Sequence, residues 1–154
     1  MLPNDRAVAL DEINREIVRL LQQDGRRPYA AIAKRVGRSE ASVRQRVGRL
    51  VDAGVIQIVA ITDQLQMGYS RAAMMTITVS GDAGIVADKI AQMEEVDYLV
   101  ATAGGIDLLA EVVAVDDAAL YEVVGQIRSI PGVNQIDTYV YLKLHKQTYQ
   151  WGAR

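Results

Sequence analysis

The spacing of the hydrophobic residues changes near residue 55 of this 154-residue chain. Before that point they recur every three or four positions, as they do on one face of an amphipathic helix. Beyond it, apolar and polar residues alternate along several short runs, which is typical of strands covered on one face. Two periods in separate blocks predict two domains. We place them at residues 1–58 and 71–154, joined by a linker strand and turn at 59–70.

Three amphipathic helices fit into the first block. The stretch LDEINREIVRLLQQDG opens with Asp11 as an N-cap, and SEASVRQRVGRLVDAG opens with Ser39 in the same role. Between them, YAAIAKRVG predicts a shorter helix after Pro28. Gly25 and Gly54 mark the ends of the first and third helices. The side chains expected to form the core are Ile13, Ile17, Leu20, Leu21, Ile32, Ala33, Val36, Val43, Val47, Leu50 and Val51.

The second and third helices are joined by a tight turn, and their spacing is that of a helix-turn-helix. Ala33 is small where the two helices approach each other. Gly37 supplies the left-handed backbone conformation that a sharp turn requires. The alternative is a three-helix bundle whose surface binds nothing.

The charged residues are distributed unevenly along the chain, although the net charge is only −2. Residues 1–60 contain 11 Lys and Arg against 7 Asp and Glu, a balance of +4. Residues 61–154 contain 6 against 12, a balance of −6. Within residues 25–50, eight basic residues accompany a single acid, Glu40. This asymmetry favours contact between the N-terminal domain and nucleic acid, the alternative being an ordinary solvated surface.

The third helix carries Arg and Gln on the side away from its apolar face. These side chains hydrogen-bond guanine and adenine edges in the major groove of DNA. The residues expected near the bases are Ser39, Glu40, Ala41, Ser42, Arg44 and Gln45. The residues expected to contact phosphates are Arg26, Arg27, Lys34, Arg35, Arg38, Arg46 and Arg49.

The second block predicts the order βαββαβ, a ferredoxin-like plait of four antiparallel strands with two helices on one face. The predicted strands are 72–79, 96–103, 106–115 and 135–146, and the predicted helices are 83–94 and 117–130. A further β-rich run, VIQIVAITD, precedes them at 55–63. In the first of these helices, the side chains expected to face the sheet are Ile85, Val86, Ile90 and Met93. The fold class is therefore α+β, with a winged helix-turn-helix domain followed by a plait.

The last strand predicts that one face of the sheet lacks a cover. Ile136, Thr138, Val140, Leu142 and Leu144 alternate there with Asp137, Tyr139, Tyr141, Lys143 and His145. One set faces the helices, and the tyrosine-bearing set is left exposed. Because an exposed aromatic face favours association, we expect two copies of the chain to pair through their sheets. A dimer would also present two recognition helices to two DNA half-sites.

Several stretches together make the chain similar to the leucine-responsive regulatory protein/AsnC, or feast/famine, family over nearly its whole length. They are LDEINREIVRLLQQDGR, IAKRVGRSEASVRQRVGRLVDAGVI, TAGGIDLLAEV and PGVNQIDTYVYLK. The resemblance implies an N-terminal helix-turn-helix and a C-terminal effector domain with the βαββαβ order. It also implies dimers that assemble into octamers, and amino acids or related metabolites that bind between dimers and alter DNA affinity.

The resemblance places an effector loop between the second and third plait strands. The family typically has Thr-Gly-Asp-Tyr-Asp there, and this chain has Ala103, Gly104, Gly105, Ile106 and Asp107. Gly104 and Asp107 match the pattern, whereas the loss of the Tyr removes an aromatic wall and a hydroxyl group. Adjacent glycines bring backbone N–H groups close to a ligand carboxylate, and Asp107 can accept from an ammonium group. The alternative is an ordinary hairpin turn with Asp107 as its acceptor.

One further position, Thr138, is a candidate effector contact because the family often has Thr at this place on the last strand. Four methionines, Met67, Met74, Met75 and Met93, are expected in the core. Trp151 is expected to pack at a subunit interface.

Composition narrows the other possibilities. The chain has no Cys, a single His at position 145 and no apolar run of transmembrane length, so we expect a cytoplasmic protein without disulfides or a zinc site. The expected function is a DNA-binding regulator without a cofactor, modulated by a small molecule such as an amino acid. Two alternatives remain, a sirohaem-decarboxylase-like enzyme on the same fold and an architectural DNA-binding protein without an effector.

Overall fold

The computed structural model describes residues 10–148. Trp151 lies outside these residues. The described chain forms two compact units. Residues 10–61 and 146–148 form the helical unit, and residues 62–145 form the sheet unit.

The helical unit contains α1 (Glu12–Gln23), α2 (Tyr29–Val36) and α3 (Glu40–Asp52). Both predicted N-caps are confirmed. The Asn14 backbone N–H donates to the Asp11 carboxylate at 2.7 Å, and the Ser42 backbone N–H donates to the Ser39 hydroxyl at 3.2 Å. Such caps satisfy backbone donors that have no partner inside the helix. Gly37 has the predicted left-handed conformation, with φ of 64°.

The predicted core of the helical unit is confirmed at most positions. The buried hydrophobic side chains are Ile17, Leu20, Leu21, Ile32, Ala33, Val43, Val47 and Leu50. Val51 was wrongly placed among them, because its side chain is 43% exposed. At 100° per residue, Val51 lies about 80° around α3 from Val43, at the margin of the buried face. Gly25 does not end α1, because the helix stops at Gln23 with Asp24 as its C-cap.

The sheet unit contains β1 (Arg71–Val79), α4 (Ala83–Ile90), β2 (Val96–Ala101), β3 (Leu108–Ala114), α5 (Asp117–Arg128) and β4 (Val133–Val140). The order is the predicted βαββαβ. The strands pair antiparallel in the order β2-β3-β1-β4. At one end of the unit, the Arg71 guanidinium at the start of β1 donates to the Asp117 carboxylate at the start of α5, with one N–O distance of 2.9 Å.

One face of the sheet packs against α4 and α5. The buried side chains on this side are Ala73, Met75, Ile77, Val86, Ile90, Leu108, Ala110, Val112, Leu120, Val123 and Ile127. Three predicted core residues are not part of it. Ile85 is 58% and Met67 is 61% exposed, and Met74 lies on the opposite face of the sheet because it alternates along β1 with the buried Ala73 and Met75. Val86 and Ile90, one helical turn apart, occupy the buried stripe of the short α4, so Ile85 points about 100° away from it.

Two predicted strands differ from the observed ones. Residues 55–63 form no strand. β4 ends at Val140 rather than at residue 146. A strand needs a neighbour to satisfy its backbone groups, and β1, the neighbour of β4, begins at Arg71. The last backbone bond between them runs from the Tyr141 N–H to the Ala72 carbonyl at 2.9 Å, and Leu142 beyond it is 96% exposed.

The other face of the sheet is not covered by any of residues 10–148, as predicted. Tyr98, Tyr139 and Tyr141 on this side are 52%, 58% and 42% exposed. Glu111 of β3 is in register with both Met74 and Tyr98. Burial raises the pKa of the Tyr141 hydroxyl to about 12, and its hydrogen bond to the Glu111 carboxylate adds to the shift. We call Ala72, Met74, Tyr98, Glu111, Asp137, Tyr139 and Tyr141 the open face.

Candidate nucleic-acid interface and effector loop

The turn between α2 and α3 brings the two helices close together and leaves one side of α3 exposed. Ala33 on α2 is 5% exposed, and it packs in the same core as Val43 and Val47 of α3. Gly37 turns the chain between them, and the Arg38 backbone N–H donates back to the Ala33 carbonyl at 3.0 Å. Because its apolar side packs against α2, α3 presents its polar side to solvent.

Most of the predicted DNA-contacting side chains lie on the surface of the helical unit. The exposed ones are Arg26, Lys34, Arg35, Arg38, Ser39, Glu40, Arg44, Gln45 and Arg49, while Arg27, Ser42 and Arg46 are half-buried. Three of the exposed arginines have partners nearby, and Arg44, the third, is described below. Arg35 lies 3.6 Å from the Glu16 carboxylate, and Arg38 donates to the Gly37 carbonyl at 3.1 Å. The Arg35 side chain nevertheless remains 68% exposed, and the Arg38 contact is also at the surface.

Arg46 differs from Arg35 and Arg44 because its guanidinium is held by two partners and its side chain is largely buried. Its Nη1 lies 2.8 Å from the Asp11 carboxylate and 2.9 Å from the Asn14 side-chain oxygen. The side chain is only 20% exposed, and Asn14 is 5% exposed. Arg46 therefore joins α3 to the first turn of α1. Sequence reasoning missed this contact because the partners are more than 30 residues apart.

The same contact affects the electrostatics of the α1 N-terminus. The pKa of Asp11 is lowered, first by the hydrogen bond from the Asn14 backbone N–H and then by the hydrogen bond from Arg46. The pKa of Glu16 is also lowered, chiefly by its hydrogen bond from Arg19. Both carboxylates are therefore held in the charged form at neutral pH.

Arg44 lies on the exposed side of α3, in its N-terminal half. Its Nη2 donates to the Glu40 carboxylate at 2.8 Å, one helical turn earlier. Its Cζ lies over the ring of Tyr29, 5.2 Å from the ring centroid. The Arg44 side chain nevertheless remains 65% exposed. Tyr29 was not singled out from the sequence, although an aromatic residue opening α2 next to a basic helix was the available signal.

The predicted effector loop is a tightly bonded hairpin connection. The Thr102 backbone N–H donates to the Asp107 carbonyl at 2.9 Å, and the Thr102 hydroxyl donates to the Ile106 carbonyl at 2.6 Å. Asp107 also accepts from the Val79 backbone N–H through Oδ2 at 2.8 Å. The Asp107 carboxylate thus ties the loop to the end of β1, which is the turn-stabilising role weighed above.

The two glycines of the loop face open space. Both are exposed, and a methyl group added to Gly104 or Gly105 would meet no atom of residues 10–148 within 4 Å. A cleft of about 180 Å³ in the sheet unit is lined instead by residues that include Val113, Glu122 and Gln126. The loop residues do not line that cleft.

Thr138 lies apart from this loop. It is in register with Met75, whose fully buried side chain faces the helices, and β1 separates β4 from the strand that follows the loop. Two inter-strand spacings amount to about 10 Å. The structure therefore does not bring Thr138 and the glycines together within one chain.

Among residues 10–148, no group of three or more His, Asp and Glu side chains is placed to hold a metal ion. In the same part of the chain, no helix combines the length and apolar character needed to cross a membrane.

Each of the two units matches a known domain family. Residues 10–51 match the AsnC-type helix-turn-helix domain, and residues 72–151 match the Lrp/AsnC ligand binding domain. The HTH-type transcriptional regulator FL11 of Pyrococcus abyssi is 35% identical over 143 residues, which cover 92% of this chain and 95% of that protein.

Solved structures share the fold. AsnC of E. coli matches with a TM-score of 0.84 at 24% identity, over 93% of this chain and 99% of that one. A transcriptional regulator of Neisseria meningitidis in complex with L-Met matches with a TM-score of 0.81 at 24% identity, over 90% of this chain and 94% of that one. These two likenesses establish the α+β architecture, with helix-turn-helix and plait in the same order.

Proposed function

Because this chain belongs to the Lrp/AsnC family of transcriptional regulators, we propose that it binds specific DNA sequences through α3 and responds to a small metabolite, an amino acid being the first class to test. The observation that supports sequence-specific binding is the exposed polar side of α3. It presents Arg44 and Gln45, side chains that pair with guanine and adenine, on the basic half of the chain.

The chain is a regulator rather than an enzyme. Its relatives are named as HTH-type transcriptional regulators, and 35% identity to FL11 extends across both units. The sirohaem-decarboxylase alternative is therefore set aside. An architectural protein without sequence preference remains an outcome that the experiment below distinguishes.

We assign the DNA contacts by the position of each side chain and by whether another residue already engages it. Glu40, Ser42, Arg44 and Gln45, with Ser39 at the helix start, lie where a recognition helix meets base edges. The basic side chains around them would contact phosphates, namely the exposed Arg26, Lys34, Arg35, Arg38 and Arg49 and the half-buried Arg27. Arg46 supports binding indirectly, because its guanidinium is engaged by Asp11 and Asn14.

Two copies of the chain would pair through the open face. Its exposed tyrosines and Met74 form an apolar surface of the kind that marks association sites. Pairing would place two recognition helices on one assembly, as recognition of two half-sites requires. It would also keep the acidic sheet units together, away from DNA phosphates. Further assembly of dimers into an octamer is part of the same proposal.

The effector would bind at residues 104–107, with the loop completed by a neighbouring copy. The exposed glycines leave their backbone N–H groups accessible to a ligand carboxylate. Asp107 retains Oδ1 for an ammonium group while Oδ2 holds the Val79 N–H. The L-Met complex of a regulator with this fold makes amino acids the first class of ligand to test. Thr138 is left out of this assignment because it lies on the helix-covered face.

Fluorescence anisotropy tests the proposal. The probes are a duplex selected by the protein from a randomised pool and a scrambled duplex of the same composition, each at several salt concentrations, with and without the twenty amino acids. We expect tighter binding to the selected duplex and a change in affinity when the amino acids are added. Equal affinity for both duplexes would favour the architectural protein. An unchanged affinity with amino acids would remove the effector part alone.

Three Arg variants complete this experiment. Arg44→Ala should cost about 1–3 kcal/mol on the selected duplex and relax base preference, whereas Arg26→Ala should weaken both duplexes alike. Arg128→Ala, an exposed arginine on α5 of the sheet unit, is the matched control and should leave both affinities unchanged. Equal losses in the Arg44 and Arg128 variants would contradict the assignment of α3 as the reading helix.

A further inference from the structure

We propose that Tyr29 is a positioning residue for base recognition, because its ring and the Glu40 carboxylate together hold the Arg44 guanidinium in place for a guanine edge. Tyr29 would thereby influence base preference without contacting a base. This inference rests on the proposed function of α3 as the reading helix. It concerns how one reading side chain is oriented before DNA arrives.

The contacts of Arg44 come from two different helices. Glu40 lies one turn earlier on α3 and accepts from Nη2 at 2.8 Å. Tyr29 belongs to α2, and its ring centroid lies 5.2 Å below the Arg44 Cζ. A cation over the face of an aromatic ring is attracted by the ring quadrupole. Since the side chain is still 65% exposed, these contacts orient the guanidinium and leave it accessible.

Tyr29 is a fixed support for this contact. It opens α2 directly after Pro28, is half-buried, and packs against the buried core of the helical unit. Its ring therefore has little freedom to follow a moving side chain. An arginine has a long flexible stem, and recognition of guanine O6 and N7 requires its planar fork in one orientation. Holding that fork beforehand reduces the rotamer entropy lost on binding.

Glu40 restricts the orientation of the Arg44 guanidinium and thereby the base that it can recognise. Its carboxylate occupies one N–H of the Arg44 fork in the free protein. The ion pair leaves the other N–H groups of the fork available to a base, and guanine presents the two acceptors, O6 and N7, that a bidentate arginine requires. The surrounding arginines lack this arrangement within residues 10–148, where Arg44 alone has a described contact with an aromatic ring. Guanine is therefore the base expected opposite Arg44.

A double-mutant cycle with the full chain tests the inference. The variants are Tyr29→Phe, Tyr29→Leu, Arg44→Ala and Tyr29→Leu/Arg44→Ala, measured on the selected and scrambled duplexes described above. Tyr29→Leu should lower affinity for the selected duplex about two- to fivefold, the range of an exposed cation–π contact. It should leave the scrambled duplex and the salt dependence unchanged, because Tyr29 neutralises no phosphate. Tyr29→Phe keeps the ring and should retain full affinity.

The cycle separates positioning from general support of the fold. In the Arg44→Ala background, Tyr29→Leu should have no further effect on the selected duplex, since its partner is already absent. An equal loss in both backgrounds, or an equal loss on both duplexes, would overturn the inference. Circular dichroism melting confirms that each variant is folded. If Tyr29→Leu unfolds the unit, a folded Tyr29→Met variant takes its place. Reduced affinity of Tyr29→Met for the selected duplex, with full affinity of Tyr29→Phe, would support the inference. Full affinity of both variants would overturn it.

The selection itself distinguishes this inference from the proposed function. If the unmodified protein enriches no sequence from the pool, sequence-specific binding and the role of Tyr29 fall together. The other outcome is that the unmodified protein enriches a sequence. If the Tyr29→Leu variant then enriches the same sequence with the same preference for guanine, only the role of Tyr29 is overturned.

Discussion

The three helices of the helical unit bury a common apolar core between them, whereas the sheet unit leaves one face of its sheet open. In the helical unit, three short helices bury Ile17, Ile32 and Leu50 completely. In the sheet unit, α4 and α5 cover one face, while Tyr98 and Tyr139 on the other face stay more than half exposed. The charge also differs, with basic residues concentrated in the first unit and acidic residues in the second. These differences fit the two proposals made above, that the helical unit binds DNA and that the open face pairs with a second copy.

Ile32→Ala should have the largest effect and should be confined to the helical unit. Ile32 is fully buried, and deleting such a side chain costs about 2–5 kcal/mol in the free energy of unfolding. We expect calorimetry to show an early transition for the helical unit together with lost DNA binding. Self-association, measured by sedimentation, should persist. Simultaneous loss of both properties would show that the two units do not act independently.

Tyr139→Asp should weaken self-association through the open face of the sheet unit. A charge placed on the open face would be buried without a partner in the dimer, at a cost of about 2 kcal/mol or more, roughly a 30-fold weaker association. Sedimentation equilibrium measures this directly. Tyr121→Asp is the matched control, because Tyr121 on α5 is 78% exposed on the helix side. If both variants associate equally well, the open face is not the interface.

Arg46→Ala and Arg44→Ala should differ although the two residues are close together on α3. Removing Arg46 takes a hydrogen bond from the buried Asn14 side chain, worth about 1 kcal/mol of stability. Removing Arg44 should leave the melting temperature of the helical unit nearly unchanged and reduce base preference. Thermal melting and anisotropy on the same samples give both quantities. A stable Arg46→Ala protein with weakened binding would indicate instead that Arg46 contacts phosphate.

Acid should destabilise the helical unit through Asp11, and this is the smallest expected effect. The folded pKa of Asp11 is lowered below its ordinary value of 3.8, so its contribution is present above that value. It is lost as the pH falls through the lower, folded-state pKa. Asp11→Asn should flatten the pH dependence of the melting temperature between the ordinary pKa of Asp11 and its lower, folded-state pKa. The same slope in both proteins would show that Asp11 is not responsible.

The amino-acid sequence by itself determined the order and class of the elements. Periodicity located every helix and every plait strand, and the caps at Asp11 and Ser39 were visible because they act within three residues. The alternation along the last strand also predicted the exposed tyrosines. Local signals sufficed here because helix and strand periods are properties of neighbouring residues.

Tertiary structure decided where strands end and which charged groups are already engaged. The run at 55–63 has a strand-like sequence but forms no strand, and β4 stops where β1 begins, since ladder hydrogen bonds require a neighbour. Arg44 and Arg46 look alike in the sequence, yet one lies exposed over Tyr29 and the other is bound to Asp11. The difference arises because α1 and α2 approach α3 on different sides. Contacts between distant parts of the chain leave no period in the sequence, so only the packing of the helices distinguishes an arginine that can meet DNA from one that holds the fold.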